Sequence, residues 1–396
     1  MITLGIETSC DETALALIET RYFEGRFEYR VLASYIHSQA ELHNQFGGVY
    51  PNLAKREHAK YLFPLFKQLL DNTSSYFEQK DQMIENQIFD QRIAEIREKY
   101  YSKNSELIDS LMNSDFLKQI RKIDRIAVTE GPGLEPALWV GITFASILSH
   151  LWNVETVAVN HMEGHILGSL LQKEENDKWQ SLEKIDFPAL ALLISGGHTQ
   201  LIEINQTADL FSYHIIGETK DDAVGEAYDK VARLMELPYP GGPQISKLAD
   251  DKVVMDIKLP RPMLRSSELD FSFSGLKTAV LYTLRDQKEK VGEISLEFKK
   301  ALAYEFENAV VEVLLHKSKL AIEKIGAKSF IIGGGVIANK RLRESFETLT
   351  KEYGIGLYLP TKHVSGDNAL MIAISGALKK KIEHRQLIAD GTKRLS

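Results

Sequence analysis

The chain opens on the pattern of a β-hairpin. Residues Ile2–Glu7 form a short apolar run, Thr8-Ser9-Cys10-Asp11-Glu12 is polar and turn-like, and 13–19 read as a second strand. The plan recurs in mid-chain. Residues 189–195 are a continuous apolar run of the buried-strand type, Gly196-Gly197-His198 turns it, and 199–204 run back. Small or hydroxyl residues occupy both tips, which predicts a duplicated hairpin opening each of two lobes. Strands and helices alternate elsewhere. A strand over 125–129 runs into Gly131-Pro132-Gly133, a helix follows over 136–152, a strand over 156–160, and His161 opens the next helix. Apolar residues at helical spacing fill Leu296–Ile325 and stop at Gly326; a strand over 329–332 then meets Gly333-Gly334-Gly335 and another helix. Such alternation predicts α/β layering. From about residue 71 to 122 the chain is rich in Glu, Lys, Gln, Asn, Asp and Tyr and has no Gly or Pro. This predicts helices projecting from the first lobe, a charge-rich insertion with a solvated face.

Composition narrows the class. A chain of 396 residues, 44% hydrophobic and 26% charged, is that of a globular enzyme with room for two cores. The net charge of −7 does not advertise nucleic-acid binding, so any polyanionic partner must meet a local basic cluster. Candidates are Lys55-Arg56 with Lys60, Lys118 with Arg121, Lys122 and Arg125, Lys340-Arg341 with Arg343, and the tail Lys379-Lys380-Lys381 with Arg385. The single cysteine, Cys10, excludes an internal disulfide and suits a reducing cytoplasm. The start lacks a signal peptide, and no apolar run reaches the roughly 18 residues of a membrane span.

The sharpest local chemistry is His161-Met162-Glu163-Gly164-His165. On a helix, histidines four apart share a face and can bind one metal ion. A zinc peptidase needs glutamate directly after the first histidine, where it activates water; here that place is Met162, and Glu163 is rotated off the face. A third ligand is available in Asp367, before the last main helix, although Asp in that setting is ordinarily a helix N-cap. Glycine turns at Ser195-Gly196-Gly197, Gly241-Gly242-Pro243 and Gly333-Gly334-Gly335 each adjoin a strand or helix end, where bare backbone can approach a phosphate. Neither a Walker A pattern nor a complete Rossmann fingerprint is present. Asp11 and Glu12, at the first hairpin tip, are paired carboxylates suited to positioning an amine or accepting its proton; the plainer alternative is a solvated turn.

Taken in order, these stretches resemble one family, the tRNA threonylcarbamoyladenosine transferases, in their bacterial TsaD form. The resemblance is carried by residues 5–13, Gly47-Gly48-Val49-Tyr50-Pro51, Gly131-Pro132-Gly133-Leu134, His161 to His165 and Ser195-Gly196-Gly197-His198-Thr199-Gln200. It continues through Glu226-Ala227-Tyr228-Asp229-Lys230, Tyr239-Pro240-Gly241-Gly242-Pro243, Asp270 to Thr278, Gly333 to Val336 with Asn339, and Asp367-Asn368. It implies a two-lobed α/β fold of the actin, sugar-kinase and heat-shock-chaperone type, built from duplicated ribonuclease H-like lobes. The expected division is a first lobe over 1–155, with the insertion, and a second over 156–366. The metal and nucleotide would lie at the interlobe cleft, and a C-terminal helix over 367–396 would pack back on the first lobe.

The resemblance further implies one divalent metal ion per subunit, Fe(2+) in preference to Zn(2+), on His161, His165 and Asp367. It implies substrate contacts from Leu193, Ile194, Ser195, Gly196, Gly197, Asp229, Gly242 and Asn339. The donor would be threonylcarbamoyl-AMP. The acceptor would be the exocyclic amine of the adenosine 3′ of the anticodon in tRNAs reading codons that start with A. Asp11 and Glu12 are the catalytic candidates. Implied partners are tRNA, the TsaB paralog and the ATPase TsaE, in the cytoplasm and with no membrane. Two departures stand out: Glu135-Pro136 replaces the small or apolar residues more usual in the family, and the 71–122 segment is longer than the family pattern. Rival readings are a metallopeptidase, an ATP-dependent small-molecule kinase of the same fold and a non-catalytic paralog. The metal-binding trio tells against the last, which lacks those ligands.

Overall fold

The computed structural model describes residues 1–76, 82–112, 115–172, 178–207, 210–379 and 386–395. They fall into two compact units. The first comprises Met1–Gln39, Val49–Glu183 and Asp367–Leu395; the second comprises Ala40–Gly48 and Lys184–Gly366.

The first unit is built on β1 (Ile2–Glu7), β2 (Glu12–Phe23) and β3 (Arg26–Ser38), with α1 (Ala40–Asn44) passing to the second unit before α2 (Pro51–Asn72) returns. Next come β4 (Gln82–Met83), α3 (Asn86–Tyr100), α4 (Ser105–Met112) and β5 (Gln119–Ile120). The sheet is then completed by β6 (Arg125–Gly131), α5 (Glu135–Trp152), β7 (Glu155–Asn160), α6 (His161–Gly168) and β8 (Gln180–Ser181). Strand order is β7-β6-β1-β2-β3-β8, with β1, β6 and β7 mutually parallel and β2 antiparallel to both neighbours.

The second unit repeats the plan with β9 (Ala189–Ile194), β10 (Thr199–Gln206), β11 (Phe211–Glu218), α7 (Val224–Leu234), α8 (Gly241–Ala249), α9 (Ser274–Val291) and α10 (Leu296–Ile325). It ends with β12 (Ser329–Gly333), α11 (Lys340–Tyr353) and β13 (Gly356–Tyr358), and α12 (Ala369–Leu378) then belongs to the first unit. Its strand order, β11-β10-β9-β12-β13, has the same pattern: an antiparallel meander followed by two parallel strands. Each unit therefore has ribonuclease H-like topology, and the duplicated hairpin is its opening pair of strands. The third strand of each meander, β3 and β11, escaped sequence reading; both are half-exposed and lack the continuous apolar run that marks β1 and β9.

Three expectations are corrected. The units divide at Glu183/Lys184 and not at 155/156, because β7 pairs with β6 and His161 and His165 follow it into the first unit. The C-terminal helix is confined to Ala369–Leu378; residues 380–385 and 396 of the expected span lie outside the described residues. The charged segment does not project. Phe89, Ile96, Leu107, Ile108 and Leu111 are buried in the same core as Phe66, Phe144 and Trp152.

Glycine makes the close approaches that seat α12. A Cβ on Gly5 of β1 would meet the Ala369 carbonyl at 2.3 Å, and one on Gly376 would meet the Ala127 side chain of β6 at 2.3 Å. On the other side, a Cβ on Gly164 of α6 would come within 3.1 Å of Met371 and Ile372. Small residues thus let α12 lie against β1, β6 and α6 at once, which places its N-terminal flank beside the start of α6.

Candidate metal centre and nucleotide pocket

His161 is the first residue of α6, and Asn160 caps that helix by accepting from the N–H groups of Met162 and Glu163. One turn on, His165 shares the face. Asp367 lies just before α12, where Asn368 is the N-cap, accepting from Met371 N. The aspartate is therefore not engaged as the cap, and its Oδ1 sits 3.3 Å from His161 Nε2 and 3.2 Å from His165 Nε2. The ligand atoms of all three residues lie within 4.8 Å of one another, with both histidines buried. Burial alone would depress the His161 imidazole, yet the carboxylates of Asp367 and Glu7 hold it well above its ordinary value. Burial also opposes the charge of Asp367, but His161 and His165 hold its carboxyl well below the usual carboxylate range.

These donors fit a metal ion. The His165 Nε2 is buried and, beyond its ion-pair approach to Asp367, makes no well-directed hydrogen bond among the described residues, an expensive condition for a polar atom unless it ligates something. Two imidazoles and one carboxylate form the donor set of a facial triad with open positions. Behind His161, Nδ1 lies 3.0 Å from Glu7 Oε2, and Glu7 also accepts from the Thr129 hydroxyl at 2.6 Å and Ser9 N at 2.5 Å. Glu7 thereby fixes the imidazole with Nε2 turned to the site, the outer-shell arrangement of metal-binding histidines. Sequence reasoning gave Glu7 no role; the available signal was a carboxylate ending a strand that is otherwise apolar. Glu163 points elsewhere, pairing with Lys379 at 3.4 Å, so it does not stand where a peptidase would hold its general base.

Asp11 and Glu12 adjoin this centre along the chain. Asp11 is only 8% exposed, so it is not a solvated turn residue. Burial, reinforced by Asp11 and then Asp367, pushes Glu12 well up, and burial with the same acids does so for the Cys10 thiol.

The second unit holds a pocket of about 560 Å³. Of the residues expected to bind substrate, Gly196, Asp229, Gly242 and Asn339 line it. Ser195 and Gly197 flank Gly196 at the hairpin turn, and Leu193 and Ile194 are fully buried in β9, supporting the turn from beneath. Cβ atoms on Gly196, Gly242 or Gly335 would meet nothing within 4 Å. No packing requirement keeps them glycine, and bare backbone at a pocket wall suits an approaching phosphate. The start of α8, with no side-chain cap, adds the positive end of a helix. Asp229 accepts from Gly241 N at 2.7 Å. Asn339 caps α11 through its Oδ1 while its Nδ2 donates to Ser246 and Glu307, so its side chain is engaged by the protein. Glu307 and Tyr228 were missed as site residues. Glu307 is one acidic position within the apolar periodicity of α10, and its carboxyl is pushed up by burial, against the hydrogen bonds of Asn339 and Ser246.

A family profile described as TsaD, tRNA N6-adenosine threonylcarbamoyltransferase, matches residues 30–84 and 93–374. The match is interrupted only at 85–92, so most of the supposed insertion lies within the matched stretches. The chain is 38% identical over 381 residues to the tRNA N6-adenosine threonylcarbamoyltransferase of Chromobacterium violaceum, covering 96% of this chain and 94% of that one. It is 39% identical to the enzyme of the same name from Burkholderia ambifaria, covering 96% and 92%. Among solved structures, the activator of 2-hydroxyisocaproyl-CoA dehydratase from Clostridium difficile with bound ADPNP aligns over 96% of this chain and 93% of its own, at 12% identity and TM-score 0.44.

Proposed function

The chain belongs to the tRNA N6-adenosine threonylcarbamoyltransferase family, and on that premise we propose that its donor is threonylcarbamoyl-AMP and its acceptor the adenosine 3′ of the anticodon in tRNAs reading codons that start with A. The observation that carries the reading is the convergence of His161, His165 and Asp367, with both buried Nε2 atoms turned to one carboxylate oxygen. These three residues would hold one divalent ion, Fe(2+) in preference to Zn(2+) on the family resemblance, and such an ion would supply Lewis-acid polarisation of the donor's oxygens.

The chain's own groups account for the remaining demands. The acceptor N6 bonds to the carbamoyl carbon, the bond from that carbon to the phosphate oxygen breaks, and AMP departs. Bare backbone at Gly196, Gly242 and Gly335, with the N-terminus of α8, suits the phosphate on which charge develops. Asp11 orients the amine and takes its proton. Since an exocyclic amine is a weak nucleophile, orientation contributes more than basicity. Glu12 is better placed to hold Asp11 than to act as a second base, because its raised pKa favours the neutral form.

The enzyme would work in the cytoplasm with TsaB and TsaE. No helix among the described residues is long and apolar enough to cross a membrane. The test is reconstitution with TsaB, TsaE, a donor-forming synthase, threonine, bicarbonate and ATP, followed by nucleoside mass analysis of the tRNA. Threonylcarbamoyladenosine should form with the wild-type chain. His161→Ala and Asp367→Ala should lose both bound metal and product. Unmodified tRNA from a metal-loaded, fully reconstituted wild-type reaction would overturn the assignment.

A further inference from the structure

The floor of the pocket in the second unit carries polar groups that the protein does not satisfy. The Tyr228 hydroxyl is buried, in a residue only 2% exposed, and meets no hydrogen-bond partner among the described residues. Its ring is held edge-on against Phe306 at 5.0 Å. Glu307, 4% exposed, is anchored through Oε1 alone, which accepts from Ser246 Oγ at 3.1 Å and from Asn339 Nδ2. Its Oε2 takes no hydrogen bond among the described residues, the nearest cation being Arg341 Nη1 at 3.9 Å. That Nη1 is itself buried without a hydrogen-bond partner among the described residues, while Nη2 of the same guanidinium is held by Asn308. All three side chains line the pocket. An acceptor, a donor and a hydroxyl thus line one pocket without hydrogen bonds, the first two held only as a loose ion pair, and leaving such groups unmatched is costly.

We propose that Glu307, with Tyr228 and Arg341, reads the nucleobase of the donor nucleotide and selects adenine through its amino group. The inference rests on the reading of this pocket as a nucleotide site. A carboxylate oxygen is acceptor-only, so it matches the two N–H donors of adenine's exocyclic amine and repels the carbonyl oxygen found there in hypoxanthine or guanine. Arg341 Nη1 and the Tyr228 hydroxyl are suited to the ring nitrogens, which accept. Asn339 is then a positioning residue: it holds Glu307 Oε1 and leaves Oε2 for the base. Sites built to hydrogen-bond a polar group discriminate strongly against the analogue lacking it, because their own buried groups are left unpaired.

The experiment is calorimetric binding of AMP, IMP and 2′-deoxy-AMP to the full chain and to Glu307→Gln. The wild type should bind AMP at least about tenfold tighter than IMP, the equivalent of one hydrogen bond to a charged group, and should bind 2′-deoxy-AMP nearly as well as AMP. Glu307→Gln keeps an acceptor for Ser246 and Asn339 but turns the free oxygen into an N–H donor, so its preference should invert toward IMP. A residue that merely supports the fold would weaken both nucleotides alike. Equal binding of AMP and IMP by the wild type overturns the inference without any variant. A loss confined to 2′-deoxy-AMP reassigns the floor to the ribose and overturns it too. Failure of the wild type to bind AMP at all would strike the nucleotide reading of the pocket itself, and the inference with it.

Discussion

Asp11 shows how the environment of one residue changes what its replacement should do. It is a carboxylate 8% exposed beside Glu12 and Cys10, and it is one of the charges that push both of those neighbours up. Asp11→Ala should leave metal content and AMP binding in place and lower the rate of tRNA modification by about 100-fold or more, the scale of a missing general base or positioning group. The reconstituted assay at saturating donor measures this, and near-normal turnover would remove Asp11 from the chemistry. At the same scale, the identity of the third metal-binding residue was only half legible. Asp367 was visible as a carboxylate ahead of a helix, but capping is the default for such a residue. Asn368 takes the cap, and that choice of neighbour is what leaves Asp367 to the histidines.

Among the elements, α3 and α4 show where charge density misleads. Their sequences are mostly polar, yet Phe89, Ile96, Leu107, Ile108 and Leu111 recur on faces that reach the core beneath α2 and α5. Leu107 is fully buried. Leu107→Ala should cost about 2–5 kcal/mol of unfolding free energy, as large-to-small core changes do. A solvated insertion would lose no more than about 0.5 kcal/mol. Denaturant titration of the purified variant distinguishes the two. The strands and long helices were legible because their periodicity is local; α10 is Leu296–Ile325, as its spacing predicts. The same periodicity hid Glu307, a single acid in a helix read as apolar, because only packing against α8 and α11 turns it into a pocket floor.

At the scale of the molecule, a chain of net charge −7 must take up a polyanion, and the structure thins the candidate basic clusters. Lys55 donates to the Lys103 carbonyl at 2.9 Å. Arg125 is held by the Gly376 and Lys379 carbonyls, and Arg343 by those of Ile337 and Pro360. Arg341 lines the pocket of the second unit, and Lys380, Lys381 and Arg385 fall outside the described residues. Lys122 and Lys340 are exposed singly, whereas Arg56 and Lys60 are exposed one helical turn apart on α2, Lys60 in a 3.7 Å ion pair with Glu57. The double variant Arg56→Glu, Lys60→Glu should bind tRNA more weakly and lower the salt slope by about 1 for each phosphate no longer neutralised, with AMP binding unchanged. Filter binding across a salt series checks this, and an unaltered slope would move the tRNA surface elsewhere.

The sequence by itself determined the α/β class, the repeated hairpin, the histidine pair and the glycine turns. Each is written in neighbouring residues, where period and composition suffice. Tertiary structure decided the rest. Some two hundred residues separate His165 from Asp367, and they meet because Gly5, Gly164 and Gly376 let α12 lie close against β1, α6 and β6. No local pattern states that packing. The orientation of His161 by Glu7, and the meeting of Glu307 with the hydrogen-bond-free groups of Tyr228 and Arg341, likewise arise only once distant segments share one buried space, where every polar group must be matched or left for a ligand.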